Sequence, residues 1–231
     1  MREAAKFRHS GVIPQRGQVV SEKHLRRYSD LPTLCSLLTN RKITLLDPQS
    51  WDDSNDSHFI SVYKEKKKLR SVLALCFTQA SETYHHWRAF AGNSSGICIE
   101  FKRAELLTCL ANEGKETKGI ITREVVYLTL SKIRAKIVKI DDLPFIKRWG
   151  FKDEMEFRII YASPTEELSA FDIPISLSCV SKIYLSPWIH NSLDSPVRQM
   201  LKSIDGCGHL SVVRSTLIGN EEWKTIAGRS A

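Results

Sequence analysis

Residues 149–161 read Trp-Gly-Phe-Lys-Asp-Glu-Met-Glu-Phe-Arg-Ile-Ile-Tyr, and within them Glu154, Glu156 and Arg158 stand two apart. From Asp153 onward Met155, Phe157 and Ile159 fill the alternate positions, the two-residue period of a strand with one apolar face. Two carboxylates and a guanidinium therefore share the other face. Carboxylates so placed can stabilise developing positive charge, exchange a proton or bind a divalent cation, and an arginine beside them can brace them or hold a phosphate. A solvated edge strand can carry the same row. Trp149, Gly150 and Phe151 favour a pocket wall, because an apolar, glycine-hinged approach to a charged strand suits a cavity better than an open surface.

The rest of the chain must supply the elements around this strand. Residues 1–20 mix Arg2, Lys6, Arg8 and Arg16 with breaks at Gly11, Pro14 and Gly17 and read as an N-terminal arm, leaving residues 21–231 as one domain. A first strand is expected over 22–28, followed by a helix capped at Ser29-Asp30, with Pro32 in its first turn and Leu31, Leu34, Leu37 and Leu38 as its stripe. Strands follow at 42–46, 71–77, 97–101 and 120–127, with helices at 59–70, 82–91, 104–111 and 130–140 and a polar loop at 112–119. After the Glu-x-Glu strand come strand candidates at 171–176, 181–185 and 210–217 and a helix at about 194–204. Strands and helices mix without regular alternation, which predicts an α+β fold with mixed or antiparallel sheets and flanking helices.

Composition narrows the function classes. With 231 residues, 42% hydrophobic and 26% charged, the chain matches a soluble globular protein. No apolar run approaches the roughly 20 residues of a membrane span and residues 1–20 lack a signal core, so a cytoplasmic location is expected. Six scattered cysteines form no CxxC pair and read as reduced core residues. Seven histidines form no ligand set, His85 and His86 pointing apart, and no metal is expected. Trp51-Asp-Asp-Ser-Asn-Asp-Ser57 could gather a cation, but these residue types more often stabilise turns and helix caps. The formal net charge of +8, concentrated over 64–70 and at Lys132, Arg134, Lys136, Lys139, Lys147 and Arg148, favours polyanionic partners. Either cluster alone is also what a solvated helix face looks like.

Several pieces in order resemble a bacterial family, the domain of unknown function DUF2971. They are Leu25-Arg-Arg-Tyr28, Trp51-Asp-Asp53, Leu75-Cys-Phe77, His86-Trp87 with Phe90, Gly96-Ile-Cys-Ile-Glu-Phe101, Val126-Tyr127 and Phe151-Lys-Asp-Glu-Met-Glu-Phe-Arg158, covering roughly residues 24–190. The chain departs from the family's F-N-D-P motif with Trp51-Asp-Asp-Ser54, and has Phe90 where the family usually has tyrosine. The plan is more distantly similar to ADP-ribosyltransferases of the R-S-E class, with an arginine on the first strand, a central strand and helix forming the nicotinamide pocket, and a late Glu-x-Glu strand.

That resemblance implies an ADP-ribosyltransferase-like enzyme moving ADP-ribose from NAD to a macromolecular acceptor, as in bacterial toxins and antiviral effectors. Cleaving the nicotinamide–ribose bond builds an oxocarbenium-like centre, which calls for a carboxylate, a cation for the pyrophosphate and an aromatic wall. By resemblance Glu156 is the catalytic glutamate, Glu154 orients or deprotonates the acceptor, and Arg27 contacts the cofactor's phosphates while Arg26 points the other way. Tyr84 or Trp87 would pack on the nicotinamide and Arg88 would add a phosphate contact, with Lys132, Arg134, Lys136 and Lys139 on a nucleic-acid acceptor. A protein acceptor and an inhibitory protein partner stay open. The structural alternatives are an Arg27–Glu156 ion pair, Trp87 as core and Arg158 as a brace. Two further classes stand beside the transferase. One is a non-catalytic module binding nucleic acid or a partner; the other is a metal-dependent nuclease using Asp52, Asp53, Asp56, Glu154 and Glu156, against which stands the lack of a lysine beside the strand.

Overall fold

The computed structural model of the protein describes residues 23–228. The expected arm over residues 1–20 lies outside them. The chain begins with β1 (His24–Asp30), α1 (Leu31–Asn40), β2 (Lys42–Leu46), α2 (Ser54–Lys66), β3 (Ser71–Thr78), α3 (Tyr84–Phe90), β4 (Gly96–Lys102) and α4 (Arg103–Glu116). It continues through β5 (Ile120–Glu124), β6 (Val126–Leu128), α5 (Leu130–Arg134), β7 (Ile146–Arg148) and β8 (Glu156–Ser163). The last elements are β9 (Ala170–Pro174), β10 (Val180–Leu185), α6 (Asn191–Ser203), β11 (Val212–Arg214) and α7 (Glu221–Ala227). The fold is α+β, with a mixed sheet and flanking helices.

The main sheet runs β11-β10-β4-β1-β3-β2-β9, with β8 also on β3 and β5 outside β8. Its pairs are antiparallel except β10 with β11, and β6 with β7 forms a separate parallel ribbon. Strand β3 is the hub. β8 follows it along its whole length, from Ser71 opposite Ser163 to Thr78 opposite Glu156. By contrast, β1 meets β3 only where Arg26 faces Thr78, and β2 meets it only where Leu46 faces Ala74.

The two faces of the sheet are packed differently. One carries Leu25, Leu75, Phe77, Ile97, Ile99, Phe101, Phe157 and Ile159, which join Leu34, Leu37 and Leu38 of α1 and Leu106 and Leu110 of α4 in the largest core. Burying a leucine or isoleucine there stabilises the fold by roughly 1.5–3 kcal/mol. On the other face α2 lays Ile60 and Tyr63 over Val72, Ala74 and Ile160, while α3 lays Trp87 over Tyr28 and Cys98. Between these two apolar patches the face carries polar residues.

Several sequence expectations are corrected. Strand alternation starts at Glu156, because Trp149–Glu154 winds into 3-10 turns and Met155 adopts a left-handed φ of 45°. Glu154 therefore sits on the turn, and Met155 is only half-buried. The loop expected at 112–119 is mostly the last turns of α4. The strand expected at 120–127 breaks at Val125 into β5 and β6, and that expected at 210–217 shrinks to Val212–Arg214. The basic helix expected at 130–140 stops at Arg134. None of its residues is buried, and a short helix without a packed face does not propagate. The helix expected at 59–70 starts earlier, at Ser54, where the Asp53 side chain accepts from the backbone N–H groups of Asn55 and Asp56.

Candidate functional site

Residues directly opposite each other in antiparallel strands project from the same face. Thr78 lies opposite Arg26 on one side and Glu156 on the other, Arg26 lies opposite Glu100, and Glu100 opposite Lys182. Lys182, Glu100, Arg26, Thr78 and Glu156 thus form one transverse row across five strands, in the polar strip between α2 and α3. Glu100, Thr78 and Glu156 are buried and Arg26 is largely so.

Each member of the row is held by specific bonds. Arg26 donates from Nη2 to Glu100 Oε2 at 2.6 Å and from Nη1 to the Ala80 carbonyl at 2.7 Å. Thr78 Oγ1 donates to the Glu154 carbonyl at 2.6 Å and accepts from the Ala80 N–H at 3.0 Å. The Glu156 N–H donates to the Tyr127 hydroxyl at 2.8 Å. Its carboxylate takes Arg158 Nε at 2.6 Å and Nη2 at 2.9 Å. The far edge of that guanidinium binds both oxygens of Asp56, at 2.8 and 2.7 Å, and the Pro144 carbonyl at 2.7 Å. Arg158 is wholly buried, with its guanidinium carbon 4.9 Å from the centre of the Trp51 ring.

Lys147 completes the group. Its ammonium is 2.7 Å from Glu154, 3.5 Å from Glu156 and 3.6 Å from Asp56. Three carboxylates here share two cations. Burial pushes the Glu156 carboxyl up, but Arg158 and Lys147 outweigh it and bring its pKa down to about 2. For Glu154 burial wins over Lys147, and its pKa is raised. Burial alone would lower the Lys147 pKa, yet Glu156, Glu154 and Asp56 together raise it. The environments therefore split the two glutamates, one firmly ionised and one the readier proton holder.

Asp56 and Lys147 are the partners that sequence reasoning missed as members of the ionic group. Asp56 was legible in principle: with Ile60 and Tyr63 it falls on the buried stripe of α2 at i, i+4 and i+7. Lys147 arrives from β7 by tertiary folding, which overturns the expectation that no lysine stands beside the strand. It is already engaged by carboxylates. Asp53 caps α2 and Asp52 is exposed. Among the described residues no group of three or more His, Cys, Asp or Glu side chains could hold a metal ion.

The remaining residues occupy other places. Arg27 lies off the row, its Nη1 donating to the Cys76 carbonyl at 3.0 Å, in the gap of β3 between its bridges to β1 and β2. Glu156 pairs with Arg158 and Lys147, not with Arg27. Trp87 is fully buried, edge-on to Tyr28, and its indole N–H donates to Glu82 at 2.7 Å. Tyr84 and Arg88 are exposed, with Arg88 Nε donating to the Tyr84 hydroxyl and its guanidinium 4.1 Å from the centre of the Trp188 ring. His86 lies between these sets, stacked on Tyr28 at 5.4 Å, its pKa lowered by burial. Lys132 and Arg134 are on α5, while Lys136 and Lys139 follow it, all exposed.

No protein-family model matches the chain, and no curated protein matches it in sequence. The DUF2971 resemblance thus rests on its motifs alone. In structure the chain is similar to Thermus sp. 2.9 DarT in complex with carba-NAD+, at 10% identity and a TM-score of 0.41 over 84% of this chain and 95% of that one. It is similar also to Thermus sp. 2.9 DarT in complex with ADP-ribosylated ssDNA, at 9% identity and a TM-score of 0.41 over 84% of this chain and 94% of that one. Among the described residues no helix is long and apolar enough to cross a membrane.

Proposed function

We propose that this protein is an NAD-dependent ADP-ribosyltransferase with a nucleic-acid acceptor. The observation that carries the reading is the transverse row Arg26–Thr78–Glu156, an arginine on the first strand, a hydroxyl on the central strand and a glutamate on the late strand, all on one face. It is the arrangement that the R-S-E resemblance implies, with Arg26 in place of Arg27, whose guanidinium is committed to the backbone of β3.

In this reading Arg26 exchanges Glu100 for the NAD pyrophosphate, Thr78 positions the nicotinamide-side ribose, and Glu156 binds a ribose hydroxyl and stabilises the oxocarbenium-like centre. An ionised glutamate is what that centre requires, and Glu156 is held ionised. Glu154, with its raised pKa, takes the proton of the attacking acceptor group. Tyr84, exposed on α3, packs on the nicotinamide, and Arg88, bonded to its hydroxyl, adds a phosphate contact. Lys132, Arg134, Lys136 and Lys139 steer the polyanionic acceptor. A toxin or antiviral role, with an inhibitory partner, follows from the family analogy.

The test is incubation with labelled NAD and separate pools of RNA, DNA and cell protein, comparing wild type with Glu156→Gln and Thr78→Val after each variant's melting has been checked. Label transferred by wild type and lost in folded variants supports the reading and names the acceptor. With neither transfer nor nicotinamide release from any pool, the row is a structural ion network and the protein a binding module.

A further inference from the structure

We propose that the turn Trp149–Glu154 and the neighbouring α5 form a platform for single-stranded nucleic acid, on which bases stack against Trp149 and Phe151. These rings are 38% and 36% exposed, although each could have been buried at a gain in free energy. Cations gather on both. Lys132 from α5 and Lys152 from the turn hold their ammonium groups 5.6 and 5.0 Å from the centre of the Trp149 ring, and Lys147 lies 4.9 Å from that of Phe151. Arg148 and Gly150 next to them are exposed, and a Cβ at Gly150 would meet nothing within 4 Å.

Flat exposed rings ringed by lysines match the two repeating parts of an unpaired strand. Its bases offer π faces for the rings, and its phosphates offer a partner for the exposed Lys132 ammonium beside Trp149. A duplex hides its base faces in its own stack. Charge alone would treat both forms similarly, so the aromatic component makes the platform selective for unpaired bases. The net charge of +8 supplies the longer-range attraction.

The platform also adjoins the carboxylates. The Lys147 ammonium that touches Phe151 is the one 2.7 Å from Glu154 and 3.5 Å from Glu156. On the transferase reading, a strand bound at the rings is presented beside that group. Only this presenting role rests on the transferase reading; binding by the platform stands without it.

The test uses the full chain and labelled 15-nucleotide oligo-dT, oligo-U and a duplex of equal length, followed by fluorescence anisotropy at several salt concentrations, with heparin as a polyanion that has no bases. Expected are tighter binding of single strands than of duplex, quenching of tryptophan emission, and a roughly 5- to 100-fold loss in Trp149→Ala with partial rescue in Trp149→Phe. Lys132→Gln should lower the salt slope by somewhat under one. Binding is read in the absence of NAD, which separates this result from any failure of transfer. Equal affinity for duplex and single strand, displacement by heparin without change of tryptophan emission, or wild-type binding by folded Trp149→Ala would each overturn the proposal.

Discussion

Arg158 holds Glu156 through two parallel hydrogen bonds, Nε to Oε1 at 2.6 Å and Nη2 to Oε2 at 2.9 Å, while its opposite edge grips both oxygens of Asp56. All three side chains are buried. Removing the cation leaves two carboxylates in a dry setting with Lys147 alone between them. Arg158→Met should therefore destabilise the fold by about 3–5 kcal/mol in urea unfolding. Adding Asp56→Asn should recover part of that loss, a coupling of about 0.5–3 kcal/mol. Strictly additive effects would show that the pair contributes no interaction of its own.

The Glu156 carboxyl has a pKa of about 2 in the fold against an ordinary 4.5. A depressed acid contributes stability that is complete above about 4.5 and disappears as pH falls through 2, an effect of roughly 3 kcal/mol. Glu156→Gln should flatten the acid limb of the stability curve in that window. Glu154 works with the opposite sign. Its raised pKa means that folding favours its proton, so stability falls as pH rises from about 4.5 through its folded pKa, and Glu154→Gln should remove that fall. Unchanged acid limbs in both variants would contradict the assigned environments.

His86 supplies a third pH response at milder pH. Burial depresses its pKa below 6.5, so the unfolded chain takes up a proton that the folded chain resists. Stability is then complete above about 6.5 and declines as pH falls toward the folded pKa. His86→Gln should lower the melting temperature at pH 7.5, because the stacking on Tyr28 is lost, yet reduce its further decline between pH 6.5 and 5. Parallel curves for the two proteins would place the titrating group elsewhere.

Local pattern revealed much of the fold and only part of the site. The capped start of α1 at Asp30-Leu-Pro32 and the apolar runs of β3 and β4 announce themselves, because capping and strand burial are written in neighbouring residues. The end of α5 at Arg134 was hidden, since whether a basic segment stays helical depends on tertiary packing that it never receives. Alternation grouped Glu156 with Arg158, and both do share a buried face. It also carried the strand back too far, because a left-handed residue such as Met155 leaves no mark in a polar–apolar pattern. Lys147 meets Glu154 and Glu156 only through tertiary folding, and that Arg26 rather than Arg27 shares the row with Thr78 depends on one inter-strand pairing.

That choice can be tested directly, because neighbouring arginines on β1 hold different partners. Arg26→Lys keeps a cation for Glu100 but loses the fork that also reaches the Ala80 carbonyl and that would grip a pyrophosphate. Leaving the Ala80 carbonyl without its donor should cost about 1–3 kcal/mol of stability, while NAD turnover per folded molecule falls by roughly tenfold or more, the cost of one charge-assisted hydrogen bond. Arg27→Gln strips the Cys76 carbonyl of its donor, which should cost about 1–3 kcal/mol of stability. Turnover per folded molecule should stay close to wild type. If Arg27→Gln instead abolished turnover and Arg26→Lys left it intact, the row Arg26–Thr78–Glu156 would not be the NAD site, and the cofactor would have to enter through the gap between β1 and β3.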